Sequence, residues 1–344
     1  MAAMRTRPTD DEAAVKDVFD GFFANESPIE VVRAAAPGGH DADLWAKLAA
    51  TGAPGMAVPE AVGGGGASLR DLAVVVEIWG AHLAPVPLVE HAVATRLLHR
   101  LGADVVSLVA GDTVATLALR DPEAGRARLV PAGAVAGTVV AREGEVVVRA
   151  DGEPPGVGPR NTGDLPLADR DLTGATPVGS AEAWPRALDE WRALMAVGYC
   201  GLARRALDIG IDYVKERHQF GVPVGSFQAV QHGFADAATK LEGAHLLAHR
   251  AVWALDTDQA AGGPDDPARL AGMALLFAAE TARFVTDRSL QYHGGYGFSE
   301  EYDIQLHHRR ASAWLLQLGE PGLEYARLAA AEFGPVGIVT KEAC

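Results

Sequence analysis

FQAVQHGFADAATKLEGAHLLAHRAVWAL, residues 227–255, sets the architecture of this chain. Phe227, Val230, Phe234, Ala237, Leu241, Ala244, Ala248, Ala251 and Leu255 recur at alternating spacings of three and four. That spacing lays an apolar seam along one side of a helix of about eight turns, the pattern of a bundle helix. Its neighbours read the same way. Trp184 to about Arg217 makes another long helix. A third opens with Asp266 as N-cap and Pro267 in the first helical position, where an N–H would have no partner anyway. A fourth runs from about Ser299 to Leu318, Gly319 stops it, and Glu320-Pro321 starts a last short helix.

Upstream of the bundle the texture changes. Val114 to Leu119, Thr138-Val139-Val140 and Val146 to Val148 are β-favouring runs. Arg142-Glu143-Gly144-Glu145 joins the last two as a hairpin, and a Pro- and Gly-rich loop follows from Pro154 to Pro166. This predicts a small β domain of about four strands. Residues 10 to about 110 read as short helices with tight breaks. Asp10, Asp11 and Glu12 open the first, and Leu44, Trp45 and Leu48 form an apolar patch on the next. Gly63 to Gly66 precede a helix that starts near Ser68 and stops at Gly80. The glycine run has no Lys-Ser/Thr pair behind it and follows no strand, so it reads as a flexible inter-helix turn and not as a phosphate loop.

Composition narrows the function. Of 344 residues, 49% are apolar, enough for a sizeable core, and only 6% are aromatic, which suits closely packed helices. A net charge of −15 argues against nucleic acid as a partner, because a phosphate backbone needs a basic face. The same charge gives no long-range attraction to an anionic membrane or to a CoA tail. No apolar stretch reaches the roughly 18 residues that a membrane helix needs. The opening MAAMRTRPTDDEAAVKDVF lacks the apolar run of a signal peptide, so a cytoplasmic location is expected. Cys200 and Cys344 have no metal-ligand neighbours at the usual spacing, and neither a disulfide nor a zinc site is expected. No His is read as pairing with a Glu and a second His, and no metal is assigned. His307-His308 beside Arg309-Arg310 read as a polar cluster on a helix face, with His232 and His245 partly buried.

Two loops carry chemistry. The first is Tyr213-x-x-x-Arg217-x-Gln219-Phe220-Gly221-x-Pro223, followed by Phe227-Gln228-x-x-Gln231-His232. The second is Gln291-Tyr292-His293-Gly294-Gly295-Tyr296-Gly297-Phe298. Together they resemble the signatures of the acyl-CoA dehydrogenases, and Pro59 to Trp79 resembles that family's N-terminal domain. The resemblance spans about Ala57 to Leu318, strong in the bundle and weak in the β region. It implies an FAD site. A pyrophosphate wants a guanidinium and backbone N–H donors with no side chain in the way. Arg217 would supply the first and Gly294-Gly295 the second. Gln219, Gln228 and Gln291 would add polar contacts, and Phe220 an apolar surface for the adenine end.

Other family features are missing. The middle domain of the family carries a Thr-Glu-Pro…Gly-Ser-Asp stretch and a Trp-Ile-Thr turn that hold the flavin ring and acyl chain. Here the matching stretch reads Leu119-Arg120-Asp121-Pro122-Glu123-Ala124-Gly125-Arg126-Ala127, with Arg-Ala in place of Ser-Asp. The family's catalytic Glu takes a Cα proton while a hydride leaves Cβ. Counting from Arg309-Arg310-Ala311 puts Leu318 at that position, and a second family location falls on Trp191. Glu190 and Glu320 are the nearest fallback bases and Asp189 lies two residues off. All three also read as surface carboxylates at helix ends.

In this family Arg217, Gln228, Gln291 and the paired glycines complete the FAD site of the neighbouring subunit. The chain thus keeps what it would lend and loses what it would use. That pattern is similar to the smaller subunit of heteromeric bacterial acyl-CoA dehydrogenases of steroid degradation. The resemblance implies a mainly α fold with a small central β domain, divided as an N-terminal helical domain (1–110), a shortened β domain (111–180) and a C-terminal four-helix bundle (181–335). It implies α,β-dehydrogenation of an acyl-CoA, a larger homologous partner subunit in an α2β2-like assembly, and an electron-transfer flavoprotein as acceptor. A self-sufficient homomeric dehydrogenase using Glu190 or Glu320, a flavin oxidase or monooxygenase of the same fold, and a catalytically silent interaction subunit are the rival readings.

Overall fold

A computed structural model describes residues 4–334 apart from Thr6 and Pro37. Cys344 lies outside the described residues.

Six helices come first: α1 (Asp10–Glu26), α2 (Ile29–Ala35), α3 (Ala42–Ala50), α4 (Leu69–Ala81), α5 (Leu88–Arg100) and the short α6 (Val106–Val109). Local caps fix their starts. Thr9 Oγ1 accepts the Glu12 N–H at 3.1 Å while Glu12 accepts the Thr9 N–H at 2.7 Å, a capping box. Ser68 and Asp71 repeat the device on α4, and Asp41 caps α3. The glycine run ahead of α4 is not the flexible turn expected. A Cβ at Gly64 would lie 2.1 Å from the Val58 carbonyl, and one at Gly65 would lie 2.9 Å from that of Met56. These glycines are there because the two backbone stretches touch.

Six strands follow where about four were expected: β1 (Ala115–Leu117), β2 (Arg126–Val130), β3 (Thr138–Glu143), β4 (Val146–Asp151), β5 (Ala168–Asp171) and β6 (Thr176–Ser180). The β3–β4 hairpin turns where the sequence placed it, with Glu143 opposite Val146. The sheet order is β1-β3-β4-β6, with β1 parallel to β3, and β2 pairs separately with β5. β2, β5 and β6 were hidden because Arg, Asp and Pro break their apolar alternation. Buried His91 on α5 ties this part to the helices. Its Nε2 bonds the Leu108 carbonyl at 2.9 Å and its Nδ1 accepts the Ala115 N–H at 3.0 Å. Burial pushes its pKa down to about 4, so it stays neutral.

The rest is helical: α7 (Trp184–Glu216), a two-residue-stranded hairpin of β7 (His218–Gln219) and β8 (Val222–Pro223), α8 (Gln228–Asp256), α9 (Pro267–Tyr292), α10 (Ile304–Ala313) and α11 (Pro321–Phe333). The seam from Val230 to Leu255 is buried as its spacing requires, whereas Phe227 stays outside it. Asp266 caps α9 by accepting the Arg269 N–H at 2.9 Å. The fourth bundle helix is shorter than expected. It starts at Ile304 and tightens into a 3-10 turn over Trp314–Leu318, ended by Gly319 at φ 105°, a conformation open to glycine. α7 runs through the middle, with Trp191, Leu194 and Tyr199 fully buried against α4, α8 and α9.

Candidate functional site

The C-terminal ends of α7 and α9 meet at one end of the bundle. Tyr213, one turn before α7 stops, stacks on His293 with centroids 3.9 Å apart and donates its hydroxyl to the His293 carbonyl at 3.3 Å. His293 Nδ1 bonds the Ser289 carbonyl at 2.7 Å, and burial lowers its pKa, so the ring is neutral with the proton on Nδ1. Arg217 leaves the helix in an extended conformation, and its guanidinium sits 5.5 Å from the Tyr296 ring centroid.

A cleft of about 630 Å³ opens between these elements. Arg217, Gln219, Gln291, Gly294 and Gly295 line it together with Tyr213, His293, Tyr296, Ser299 and Glu301. Five residues singled out by the two loops thus converge from chain positions about 75 apart. Phe220 and Gln228 are exposed and outside this lining. Phe220 is 93% exposed at the tip of the β7–β8 hairpin with φ 54°, a strained conformation for an aromatic residue, and meets Phe227 edge-on at 6.3 Å. Both bordering helices present their C-termini here, so their dipoles do not favour an anion. Arg217 is the cationic side chain of the lining, and the backbone of Gly294 and Gly295 is open to the cleft. A Cβ at Gly294 or Gly295 would touch nothing within 4 Å, so packing does not demand glycine at either position. A side chain there would project into open space at the cleft wall. The residues fit a large polyanionic cofactor.

A second, interior pocket lies between α4, α5, the β region and the 3-10 turn after α10. It holds only about 30 Å³ and is lined by Trp79, Val86, Glu90, Arg310, Trp314 and Gln317 among others. That is room for about one water. Burial pushes the Glu90 carboxyl up to about 6 and the Arg310 guanidinium down to about 10. Glu90 was not singled out in the sequence, where it is one acid in an otherwise helical run. Arg120 packs against the turn that ends the 3-10 segment after α10: a Cβ at Gly319 would lie 3.4 Å from its Cδ. Ala127, in place of the family's acid, is fully buried in β2, and Arg126 points out toward Asp169 at 3.4 Å.

The fallback bases separate. Glu190 is not a surface carboxylate. It is fully buried and bound by Arg100 at 2.6 Å, Arg96 at 3.1 Å and Arg186 at 3.4 Å. Burial alone would raise its pKa, but Arg96 and Arg100 more than offset this and hold it below the usual range. It lines neither the cleft nor the interior pocket. Asp189 is also buried, paired with Arg192 at 2.9 Å. Glu320 is an exposed cap of α11. Trp191 is fully buried, and Leu318 packs on the core.

The histidine expectations also change. His307 and Arg310 point inward and are buried, while His308 pairs with Asp287 at 3.1 Å and Arg309 with Asp164 at 2.6 Å, so these four form no single cluster. His232 is exposed. His245 and His249 do meet a Glu, Glu77 on α4, contrary to the sequence reading. The i, i+4 His pair was visible, but its carboxylate lies 168 residues away.

Residues 182–320 match the acyl-CoA dehydrogenase C-terminal domain, and residues 9–106 match the acyl-CoA dehydrogenase N-terminal domain. This chain belongs to the acyl-CoA dehydrogenase family. The family's members are oxidoreductases acting on CH–CH bonds of acyl-CoA thioesters. Among acyl-CoA dehydrogenases it is similar to IpdE2 of Mycolicibacterium smegmatis, at 33% identity over 88% of this chain and 93% of that protein. Two solved structures share the fold closely. One is a variant of the Tcur3481-Tcur3483 steroid ACAD, with TM-score 0.83, 28% identity and coverage of 94% of this chain and 98% of that one. The other is the ChsE4-ChsE5 complex of Mycobacterium tuberculosis, with TM-score 0.84, 25% identity and coverage of 97% and 100%. Among the described residues, no helix of this acyl-CoA dehydrogenase is long and apolar enough to cross a membrane.

Proposed function

We propose that this chain is the smaller subunit of a heteromeric, α2β2-like acyl-CoA dehydrogenase acting on a steroid-derived acyl-CoA. It completes an FAD site held mainly by a larger homologous subunit. One observation carries the reading: the surface cleft lined by Arg217, Gln219, Gln291, Gly294 and Gly295 is open at about 630 Å³, while the pocket between α4, α5 and the β region holds about 30 Å³. A cofactor or drug-sized ligand needs about 300 Å³ or more. The steroid ACAD and the two-component ChsE4-ChsE5 complex, both similar over almost the whole chain, support the assembly and the substrate class.

The chemistry that FAD supplies when bound is acceptance of the Cβ hydride. This chain's residues bind and orient. Arg217, whose guanidinium sits over Tyr296, would hold the pyrophosphate, and Gly294-Gly295 would leave the backbone open to the phosphates. Gln219 and Gln291 would hold polar groups along the cofactor, and Phe220 and Gln228, exposed beyond the cleft, would face the partner. The base for the Cα proton would be a Glu of the partner subunit, and an electron-transfer flavoprotein in the cytoplasm would be the acceptor.

Turnover of the reconstituted complex tests the division of labour. Changing the partner's catalytic Glu to Gln is expected to cost about 10²–10⁴-fold. Glu320→Gln here is expected to leave turnover unchanged. Glu190→Gln is expected to weaken the fold, since breaking a buried ion pair costs about 3–5 kcal/mol, while the folded fraction turns over normally. Loss of turnover in Glu320→Gln with an active partner mutant would make this chain the catalytic subunit.

A further inference from the structure

Glu77 on α4 and His245 and His249 on α8 form a cluster that the flavin reading leaves unused. The two histidines are four residues apart and so share one helix face. His245 Nδ1 is 3.0 Å from one Glu77 oxygen and His249 Nε2 is 3.3 Å from the other. The two imidazole centroids are 4.3 Å apart, and one ligand atom from each of the three residues lies within 4.8 Å of the others. All three side chains are half-buried, with 20–33% of their surface exposed, so the cluster is shielded yet reachable.

We propose that Glu77, His245 and His249 bind a divalent transition-metal ion of the zinc class and clip α4 to the bundle. In a tetrahedral zinc site with bonds near 2.0–2.1 Å, neighbouring ligand atoms are about 3.3 Å apart. His245 Nδ1 stands 3.0 Å from Oε1 and His249 Nε2 3.3 Å from Oε2, so a small turn of the carboxylate that brings one oxygen toward both nitrogens completes the set. Two imidazole nitrogens and one carboxylate, with water in the fourth position, suit zinc, cobalt or nickel. They do not suit calcium or magnesium, which take oxygen ligands. Without an ion, both inward nitrogens must carry protons to satisfy the carboxylate, and one cation replaces both. The charges around the cluster are mixed. Arg204 opposes a cation but is paired with Glu242 at 3.7 Å, and Glu242 lies one turn before His245 on the same face. The ion binds the folded arrangement, so it stabilises the fold by linkage.

The test uses the full chain after chelator treatment, without flavin or partner, so its failure would leave the flavin reading intact. Zinc titration by calorimetry is expected to give one ion per chain and a rise in Tm. Cobalt is expected to give the intense visible absorption of a tetrahedral site. His245→Asn and His249→Asn are each expected to weaken binding by roughly tenfold or more. Glu77→Gln keeps the shape of the carboxylate and removes its charge, and is expected to weaken binding likewise even if the histidine variants unfold. Stoichiometric zinc bound as tightly by Glu77→Gln as by the wild type would overturn the proposal, as would a wild-type chain that takes up no stoichiometric zinc.

Discussion

Trp314 lies flat on Trp79, with ring centroids 5.0 Å apart and 12° between the planes. Tyr199 meets Trp314 edge-on at 5.2 Å, so three aromatic rings from α4, α7 and the 3-10 turn after α10 close the interior of the chain. A catalytic acyl-CoA dehydrogenase subunit needs open space between its helices and its β region. Here Trp79 and Trp314 line a pocket of only about 30 Å³ between α4, α5 and the β region.

Trp314→Ala therefore separates closure from chemistry. Removing a fully buried Trp is expected to cost about 3–5 kcal/mol, read from the urea midpoint. On the proposed reading, the cavity it leaves is expected to confer neither flavin absorbance nor turnover on the isolated chain, because that reading puts Leu318 and Ala127 where the family has its base and an acid. A yellow, active Trp314→Ala chain would show that the stack alone silences the subunit.

Arg217→Ala in the reconstituted complex removes the cation from a cleft whose two helix dipoles oppose an anion. A charge-assisted hydrogen bond contributes about 1.5–3 kcal/mol, which corresponds to roughly tenfold or more in FAD affinity. Flavin retained on gel filtration measures it. Unchanged retention would place the pyrophosphate elsewhere.

Glu90 predicts a pH dependence of stability. Burial raises its pKa from 4.5 to about 6, so the folded chain keeps a proton that the unfolded chain has lost. Its favourable contribution is present below pH of about 4.5 and is lost as pH rises through about 6, leaving a cost at neutral pH of about 2 kcal/mol. Glu90→Gln is expected to stabilise the chain by about 1–2 kcal/mol at pH 7 and to show little gain near pH 4.5. The difference in unfolding free energy between variant and wild type, followed across that range, isolates this group from His91 and His307, which titrate in both. A difference that does not grow with pH would contradict it.

The bundle was legible because its signals are local. The spacing of three and four in α8, the Asp266-Pro267 start of α9 and the two cofactor loops are each written within a few turns of chain. Arg217, Gln219, Gln291, Gly294 and Gly295 meet in one cleft because the loops sit at the ends of adjacent helices. What was not legible depends on partners far away in sequence. Glu190 reads as a surface acid until Arg96 and Arg100 fold against it, some 90 residues distant. Gly64 looks mobile until the Val58 carbonyl is found 2.1 Å from where its Cβ would be. Closure of the interior pocket needs Trp79 and Trp314, which nothing in either local sequence relates.

Flavin content is the most direct measure of the central claim. The chain is to be purified alone and again with its larger homologous subunit, and FAD counted per chain by absorbance after denaturation. The account predicts a nearly colourless, inactive chain alone and about one FAD per heterodimer in the complex, with activity appearing only there. A homo-oligomer of this chain that carries one FAD per subunit and oxidises an acyl-CoA would contradict it.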